Sequence, residues 1–597
     1  MRPRVWAPRA GQVELDLPRE GRRVPLRRVG DGWWDADLHL APGTPHAYAV
    51  DGAPPHADPR AERLPDGVHG PAEAFDATDF AWTDAGWLGL DARGAVLYEL
   101  HVGTFTAQGT LDAAIEHLDD LVALGVDMVE LMPLASFNGT HGWGYDGVSL
   151  YSVHEPYGGP RALQRFVDAA HARGMGVCLD VVHNHLGPSG NYLDVFGPYL
   201  TDAHHTPWGA AVNLDQDGSP EVRRWICDSA LRWFRDFHLD ALRLDAVHAL
   251  VDDSPQHLLA QLSLEVADLG AELGRPLSLI AESDLNDPVA IRPVAQGGWG
   301  MTAQWADDVH HAIHALVTGE RHGYYVDFGS PQTLRKALTQ VFVHDGGWSA
   351  FRGRPWGRPL PPGTDGHQFV VSASNHDQVG NRALGDRPSA RLDPGALAVE
   401  AALVLLSPFT PMLFMGEEWG ARTPWLFFTD HPEPDLAEAV RSGRRAEFGG
   451  HGWEELYGGV VEPPDPQARS TFEASRLDRG ELRQEGHARL WDWHRQLIAL
   501  RRAEPDLSSG DLAATRVRFE DAPAEQTSSG WRGWLVVERG DARVVVNLAD
   551  DERRVPLRTG RPLDVRAAWS PVRVEPPGVD EESGHVVLPG RSVVVLA

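Results

Sequence analysis

Three carboxylic acids each close an apolar, strand-like run: Asp245 in ALRLDAVHAL, Glu282 in LSLIAESDLN and Asp377 in FVVSASNHDQVGN. Cleavage of a glycosidic bond passes through an oxocarbenium-like state. It calls for one carboxylate as nucleophile or base and one neutral carboxylic acid to protonate the leaving oxygen. Arg243 stands two positions before Asp245, so on a strand both side chains project to one face. A cation that close favours the carboxylate form, which suits a nucleophile. Glu282 follows LSLIA, where partial burial keeps a proton on the acid for the leaving group. Asp377 is flanked by Asn375 and His376, groups able to grip ring hydroxyls, and its expected work is to orient the sugar and stabilise positive charge. Any one of these acids alone could equally be half of a structural ion pair. Three on similar strand ends point to one site.

Such a site needs a frame that gathers distant strand ends. From residue 95 onward, runs of strand character alternate with runs of helical period: AVLYELHV, VDMVELMP, GVCLDVV, ALRLDAV, LSLIAE, MTAQWAD, FVVSASN and TPMLFMG are the strands. Helices are expected between them at 111–124, 160–173, 221–237, 256–269 and 395–406, with a last one at 487–502. Eight apolar strands alternating with helices predict an α/β fold, a (β/α)8 TIM barrel, whose active site lies at the C-terminal ends of the strands. Residues 1–90 read as short β runs punctuated by Gly, Pro and Asp, a β-sandwich of carbohydrate-binding type. The barrel with its inserted loops is expected over 91–510, and 511–597 as a C-terminal β-sandwich. The stretch 416–485 reads as irregular, an appendage on the active-site side.

Composition narrows the partners. Lys and Arg number 54 against 85 Asp and Glu, a net charge of −31 that repels phosphate backbones and anionic lipid, so neither nucleic acid nor membrane is expected. No apolar h-region opens the chain, no run reaches the length of a span, and two cysteines make no disulfide framework. A cytoplasmic enzyme acting on a small polar metabolite, monomeric or weakly self-associating, is expected. The 21 Trp residues supply flat faces for sugar rings, although most of them are expected in the core.

Other side chains fall near the same mouth. Asn184 and His185 follow the third strand in LDVVHNHLG, and Tyr98, Trp143 and Tyr145 could form a stacking platform or simply pack the upper barrel layer. Histidines also bind metals, but no H-E-x-x-H or C-x-x-C spacing occurs, so no metal and no cofactor is expected. The pairs His204-His205 and His310-His311 read as surface or sugar-contact residues.

Taken in order, DVVHNH, LRLDAV, AES and SNHD resemble the ordered motifs of the α-amylase superfamily, over about residues 90 to 510. The resemblance implies Asp245 as nucleophile, Glu282 as acid/base and Asp377 as transition-state stabiliser, with retention of configuration. It also implies sugar contacts from Tyr98, Tyr145, His185, Arg243 and His376. Longer segments, LRLDAVHALVDDSPQHLL, IAESDLNDP, WADDVHHAIHALVTGE and MGEEWGARTPWLFFTDH, look like the maltooligosyltrehalose trehalohydrolase family. That likeness implies hydrolysis of the α-1,4 bond next to the terminal trehalose of a maltooligosyl trehalose. It adds His248, Asp307, Asp308, His311, Gln378 and Asn381 as candidate subsite residues. The long acidic calcium-binding insertion of many amylases is not evident after the third strand. Glycogen branching enzymes resemble this domain order, but typically carry a second glutamate where AESDLN stands. A general α-amylase or a non-catalytic glucan-binding barrel would also be compatible with this order of elements. Choice of trehalose over maltose is expected from loops around Trp208, Trp348, Trp356 and Trp425.

Overall fold

The computed structural model describes the chain except for residues 449–452, 521–525, 528–529, 560–561 and 576–583. Its centre is a closed barrel of eight parallel strands, Leu97–Leu100, Met128–Leu131, Gly176–Val181, Ala241–Leu244, Ser278–Ala281, Ala303–Trp305, Phe369–Ser372 and Thr410–Phe414. They are the eight expected runs, in chain order around the barrel. Successive residues of a strand point to opposite faces, and here one face of each strand fills the lumen. Leu97, Met128, Cys178, Ala241, Ile280, Val370 and Met412 form an inner apolar cluster. The alternate residues, among them Tyr98, Leu131, Leu179, Leu244, Ala281 and Leu413, belong to the larger core under the helices.

Two residues further along five of these strands the lumen turns polar, with Glu99, Glu130, Asp180, Arg243 and Glu282 directly above the apolar floor. Register makes neighbours of them: Glu99 is paired with Glu130, and Asp180 with Arg243. A polar layer sealed below by hydrocarbon gives these charges a low local dielectric, so each must find a partner or lose its charge.

Around the barrel run the expected helices, at Gly159–His171, Ser219–Asp236, Leu258–Leu273, Pro394–Leu405 and Glu485–Ala503. The helix expected over 111–124 is two pieces, Leu111–Ile115 and Leu118–Leu124. Glu116 and His117 donate their N–H groups to the carbonyls three residues back, at 3.3 and 3.1 Å. That tighter turn re-aims the second piece. Nor is 416–485 irregular, because it carries the helices Pro434–Glu447, Trp453–Tyr457 and Arg469–Ala474. Pro434 occupies the first helical turn there, where its missing N–H costs nothing. Arg444, from this helix, donates to the Gly380 carbonyl at 2.6 Å, so the segment does pack on the strand-end side.

β-rich domains flank the barrel. In the N-terminal one, the strand Val13–Leu17 alternates buried Val13, Leu15 and Leu17 with half-buried Glu14 and Asp16. It belongs to a four-stranded sheet that accompanies a three-stranded one. The C-terminal domain holds a five-stranded and a three-stranded sheet. Helix Pro394–Leu405 is apolar apart from Glu400 and buried over nearly its whole length, because the C-terminal sheet and the helix Glu485–Ala503 both cover it. Arg501 caps its last carbonyl and the turn beyond, donating to the carbonyls of Leu405, Ser407 and Phe409 at 3.0, 2.8 and 2.6 Å. No helix among the described residues is long and apolar enough to cross a membrane.

Candidate active site

Arg243 is the hub of the polar layer. It is fully buried, and Nη1 donates to Asp245 Oδ1 at 2.9 Å and to Asp180 Oδ2 at 2.8 Å. On its other branch, Nη2 lies 3.8 Å from Glu282 Oε2. One guanidinium therefore touches both acids that the strand ends deliver. Trp305 lies flat against it, 4.3 Å from the ring centre, and a cation over an indole face holds its place in an apolar shell.

Asp245 and Glu282 meet different surroundings. Asp245 accepts from Asn184 Nδ2 at 2.8 Å as well as from Arg243, so both oxygens are fixed by donors. Glu282 accepts a single main-chain bond, from Ala246 N–H at 2.6 Å. Burial pushes its carboxyl up to about 8; the charges of Asp245, Asp307 and Asp377 add to that, and Arg243 opposes it. Ala246 is strained to make that bond, since its φ of 40° lies in the left-handed region that only glycine adopts freely. The kink directly after Asp245 turns the Ala246 N–H across to the neighbouring strand end.

Asp377 reaches the cluster from the other side of the lumen. Its side chain is 43% exposed, and Oδ2 lies 3.5 Å from His376 Nε2. His376 is buried, stacks on Tyr145 and contacts its hydroxyl at 2.7 Å, and that hydroxyl donates to Asp180 at 2.6 Å. Asp180, Arg243, Asp245, Tyr145, His376 and Asp377 thus form one connected network. Asp307 stands beside it, with burial and then Asp377 pushing its carboxyl up to about 7.

His185 closes one edge of the mouth, with Nδ1 on Asn184 Oδ1 at 2.5 Å and its ring stacked at 4.6 Å on Trp208, which is 51% exposed. On the opposite edge Gln378 accepts from the Tyr324 hydroxyl at 3.1 Å, and Asn381 contacts Asp377 at 3.4 Å. His248 contacts the Asp284 N–H at 3.4 Å, and burial lowers its imidazole. His311 stacks on Tyr324 at 4.7 Å, held by burial at about 3. An inserted loop adds Trp348, 65% exposed, and Trp356, whose indole N–H donates to the Asp284 carbonyl at 2.9 Å.

Residues 74–197 match the family described as Alpha amylase, catalytic domain. Over 581 residues the chain is 54% identical to a malto-oligosyltrehalose trehalohydrolase of Arthrobacter ramosus, covering 96% of this chain and 98% of that one. The namesake of Mycobacterium tuberculosis is 50% identical over 562 residues, 93% of each chain. The chain belongs to the malto-oligosyltrehalose trehalohydrolase family. A crystal structure described as an alpha amylase of Salmonella typhimurium matches it with a TM-score of 0.86 at 35% identity, covering 100% of this chain and 97% of that one.

Within this trehalohydrolase-family barrel, several sequence expectations need correction. Tyr98 is not at the mouth. It is the outward residue of the first strand, fully buried, with its hydroxyl engaged by Glu418 Oε1 at 2.9 Å and the Gly416 N–H at 3.2 Å. The inward neighbour is Glu99. Trp143 stands behind His376 as a wall, stacked on Trp425 at 5.3 Å with its N–H on the Leu426 carbonyl. Trp425 is itself fully buried and donates to the His376 carbonyl at 2.9 Å, so it supports the site from below rather than lining a loop. Asp308 is a scaffold group, its Oδ2 accepting from Asn286 Nδ2 and the N–H groups of Val343 and His344 at 2.8, 2.7 and 3.0 Å. His310 and His311, expected at the surface or against sugar, are not at the surface but buried against each other at 3.0 Å.

Asp308 offers a direct test of that structural role. Asp308→Ala strands three donors, the buried His344 N–H and the half-buried Val343 N–H and Asn286 amide, and a buried donor left unpaired costs about 1–3 kcal/mol, so a thermal midpoint lowered by several degrees is expected in calorimetry. An unchanged midpoint would return Asp308 to the substrate.

Three residues of the lumen were not singled out by sequence: Glu99, Glu130 and Asp180. All lie two positions beyond an inward apolar residue, and that phase was the available signal. Among the described residues, one group has metal-type ligands close together, His204, Asp215 and Asp253. Asp215 already accepts there from His204 at 2.8 Å, the Asp253 N–H at 3.0 Å and Gln216 at 2.6 Å. Its lone pairs are engaged by protein donors.

Proposed function

We propose that the chain is a retaining glycoside hydrolase that cleaves the α-1,4 bond adjacent to the terminal trehalose of maltooligosyl trehalose and releases trehalose. The single observation that carries the chemistry is the pair Asp245 and Glu282 on one guanidinium, the first fixed by donors on both oxygens and the second half-buried, with its carboxyl pushed up to about 8. The choice of substrate is supported by the activity named for relatives that match the chain over nearly its full length.

In this reading Asp245 attacks the anomeric carbon while Glu282 delivers its proton to the departing oxygen of trehalose, leaving a covalent glycosyl-enzyme ester. Glu282, now ionised, takes a proton from water as the water attacks that carbon, and the ester is released with retained configuration. Asp377 bears on the positive charge of both transition states. Tyr145, His185, His248, Asp307, His311, His376, Gln378 and Asn381 are the proposed sugar contacts, and 90 and 510 the proposed boundaries of the catalytic domain. A cytoplasmic, monomeric or weakly associating enzyme fits the acidic composition.

Incubation with a maltooligosyl trehalose beside a plain maltooligosaccharide of equal length tests the assignment. Trehalose is expected as the first product, with the plain oligosaccharide cleaved at least about tenfold more slowly, a difference of about 1.4 kcal/mol between transition states. Equal rates would make the enzyme a general amylase. A changed branch pattern on amylose without new reducing ends would make it a branching enzyme.

A further inference from the structure

We infer that Glu99 is a positioning residue that holds His376 as an imidazolium, a fixed cation whose Nε2–H anchors the Tyr145 hydroxyl beside Asp377. The inference rests on the reading of the site given above for the sugar-contact roles of His376 and Tyr145, but the protonation state depends only on the hydrogen bonds and charges around the ring and not on the substrate.

The direction of each bond is forced. The Tyr145 hydroxyl has one proton and three polar neighbours: Asp180 Oδ2 at 2.6 Å, His376 Nε2 at 2.7 Å and, at the limit of contact, Arg243 Nη1 at 3.5 Å. Asp180 Oδ2 also takes the Arg243 proton at 2.8 Å. Burial pushes the Asp180 carboxyl up to about 6, so at pH 7.5 it is a carboxylate whose oxygens can only accept, and the tyrosine proton goes to Asp180. The tyrosine oxygen must then accept from His376, and Nε2 carries a proton.

On the far side of the ring, Glu99 presents both oxygens to the same residue. Oε2 accepts the His376 main-chain N–H at 2.9 Å, and Oε1 meets Nδ1 at 2.5 Å. Glu99 is 1% exposed, and no other hydrogen-bond partner of its carboxylate occurs among the described residues. Its charge in the barrel lumen therefore requires a cation on that ring. With acceptors on both nitrogens, the ring is doubly protonated.

The surrounding charges agree. Burial would lower the His376 imidazole, but the carboxylates of Glu99 and Asp377 outweigh it and push the ring up to about 9, against a smaller opposing push from Arg243. Glu130, the register neighbour of Glu99, makes no hydrogen bond in the described structure, and burial followed by Glu99 pushes it up to about 8. Neutral at pH 7, it does not compete for the imidazolium. His101, across the first-strand loop, is held by burial at about 3 and stays neutral as well. The ring is also wedged sterically, stacked on Tyr145 and edge-on to Trp143, so loss of the charge changes the bond to Tyr145 rather than the packing.

The test has two arms on the full chain. In the first, 13C-labelled histidine is followed by NMR in the absence of sugar, with His376→Gln identifying the signal. His376 is expected as imidazolium at pH 7.5 in the wild type and as neutral imidazole in Glu99→Gln. A neutral ring in the wild type overturns the inference whatever the enzyme's substrate. In the second arm, kcat/KM of Glu99→Gln is divided by the wild-type value at each pH. A loss of about 10- to 100-fold, the worth of one charge-assisted bond, is expected at pH 8. It should shrink as pH falls, because the carboxylate of Asp377 is left to draw a proton back onto the buried ring. A ratio constant with pH would reduce Glu99 to packing, and a failure of both proteins to release trehalose would count against the proposed reaction and leave the first arm standing. Should Glu99→Gln not fold, the wild-type spectrum alone decides.

Discussion

Asp245→Asn should abolish turnover, by a factor on the order of 10⁵, the scale at which nucleophile replacements act in covalent catalysis. The substitution is nearly isosteric. An amide keeps one oxygen to accept from Arg243 or Asn184, the two donors that hold the native carboxylate at 2.9 and 2.8 Å, so the loop after the fourth strand should stay in place. What disappears is the charged oxygen that attacks carbon. Oligosaccharide affinity measured by calorimetry in the variant should therefore fall within about tenfold of the wild type, while trehalose release stops. Residual turnover above about one per cent of wild type would show that another group attacks the sugar, and the assignment of Asp245 would fall with it.

That expectation draws on how legibly the barrel is written in the chain. Its strands are continuous apolar runs because helices cover one face of the sheet and side chains fill the lumen, and runs of that kind survive inspection of a single sequence. The acids after the fourth, fifth and seventh strands are legible for the same reason, since Asp245 and Glu282 follow such a run directly and Asp377 follows one in the turn just beyond it. Phase is the harder quantity. Tyr98 and Glu99 are adjacent, and one-residue ambiguity decides which of them enters the lumen; the aromatic invites a sugar-stacking role, yet the carboxylate has the inward position. Reading the lumen as the phase shared by Leu97, Met128, Cys178 and Ala241 places Glu99, Glu130, Asp180 and Arg243 two residues above, a whole polar layer. Asp308 fails differently. It sits next to Asp307 and looks like a second subsite acid, but its oxygen faces the inserted loop, and nothing local in WADDVHH announces a contact with Val343 and His344. Trp425 suggests a rim loop on aromatic character alone, whereas its burial among Trp143, Phe414 and Phe428 depends partly on Trp143, which the segment after the second strand supplies from far away in sequence.

Glu282→Gln isolates the other half of the chemistry. The side chain keeps its shape and an oxygen for the Ala246 N–H, but it has no acidic proton to give, so a loss of about 10²- to 10⁴-fold in kcat is expected, the range that general acids supply. A glucosyl fluoride separates this from simple misfolding, because fluoride departs with little protonation. The first step should then survive, the second should lack its base, and mass spectrometry should find the sugar accumulating as an ester on Asp245. The wild type should lose activity as pH rises through about 8, where Glu282 gives up the proton it needs, and the remaining activity of the variant on the fluoride should lack that limb. The substitution should raise stability even as it removes activity. Glu282 is ionised in the unfolded chain above about 4.3 but protonated in the fold up to about 8, so between those values unfolding releases a proton and the wild type weakens as pH rises. Glutamine releases none. The variant should therefore melt above the wild type at pH 7.5 and by a smaller margin at pH 5, and a margin that did not grow with pH would mean that Glu282 is already ionised and cannot be the acid.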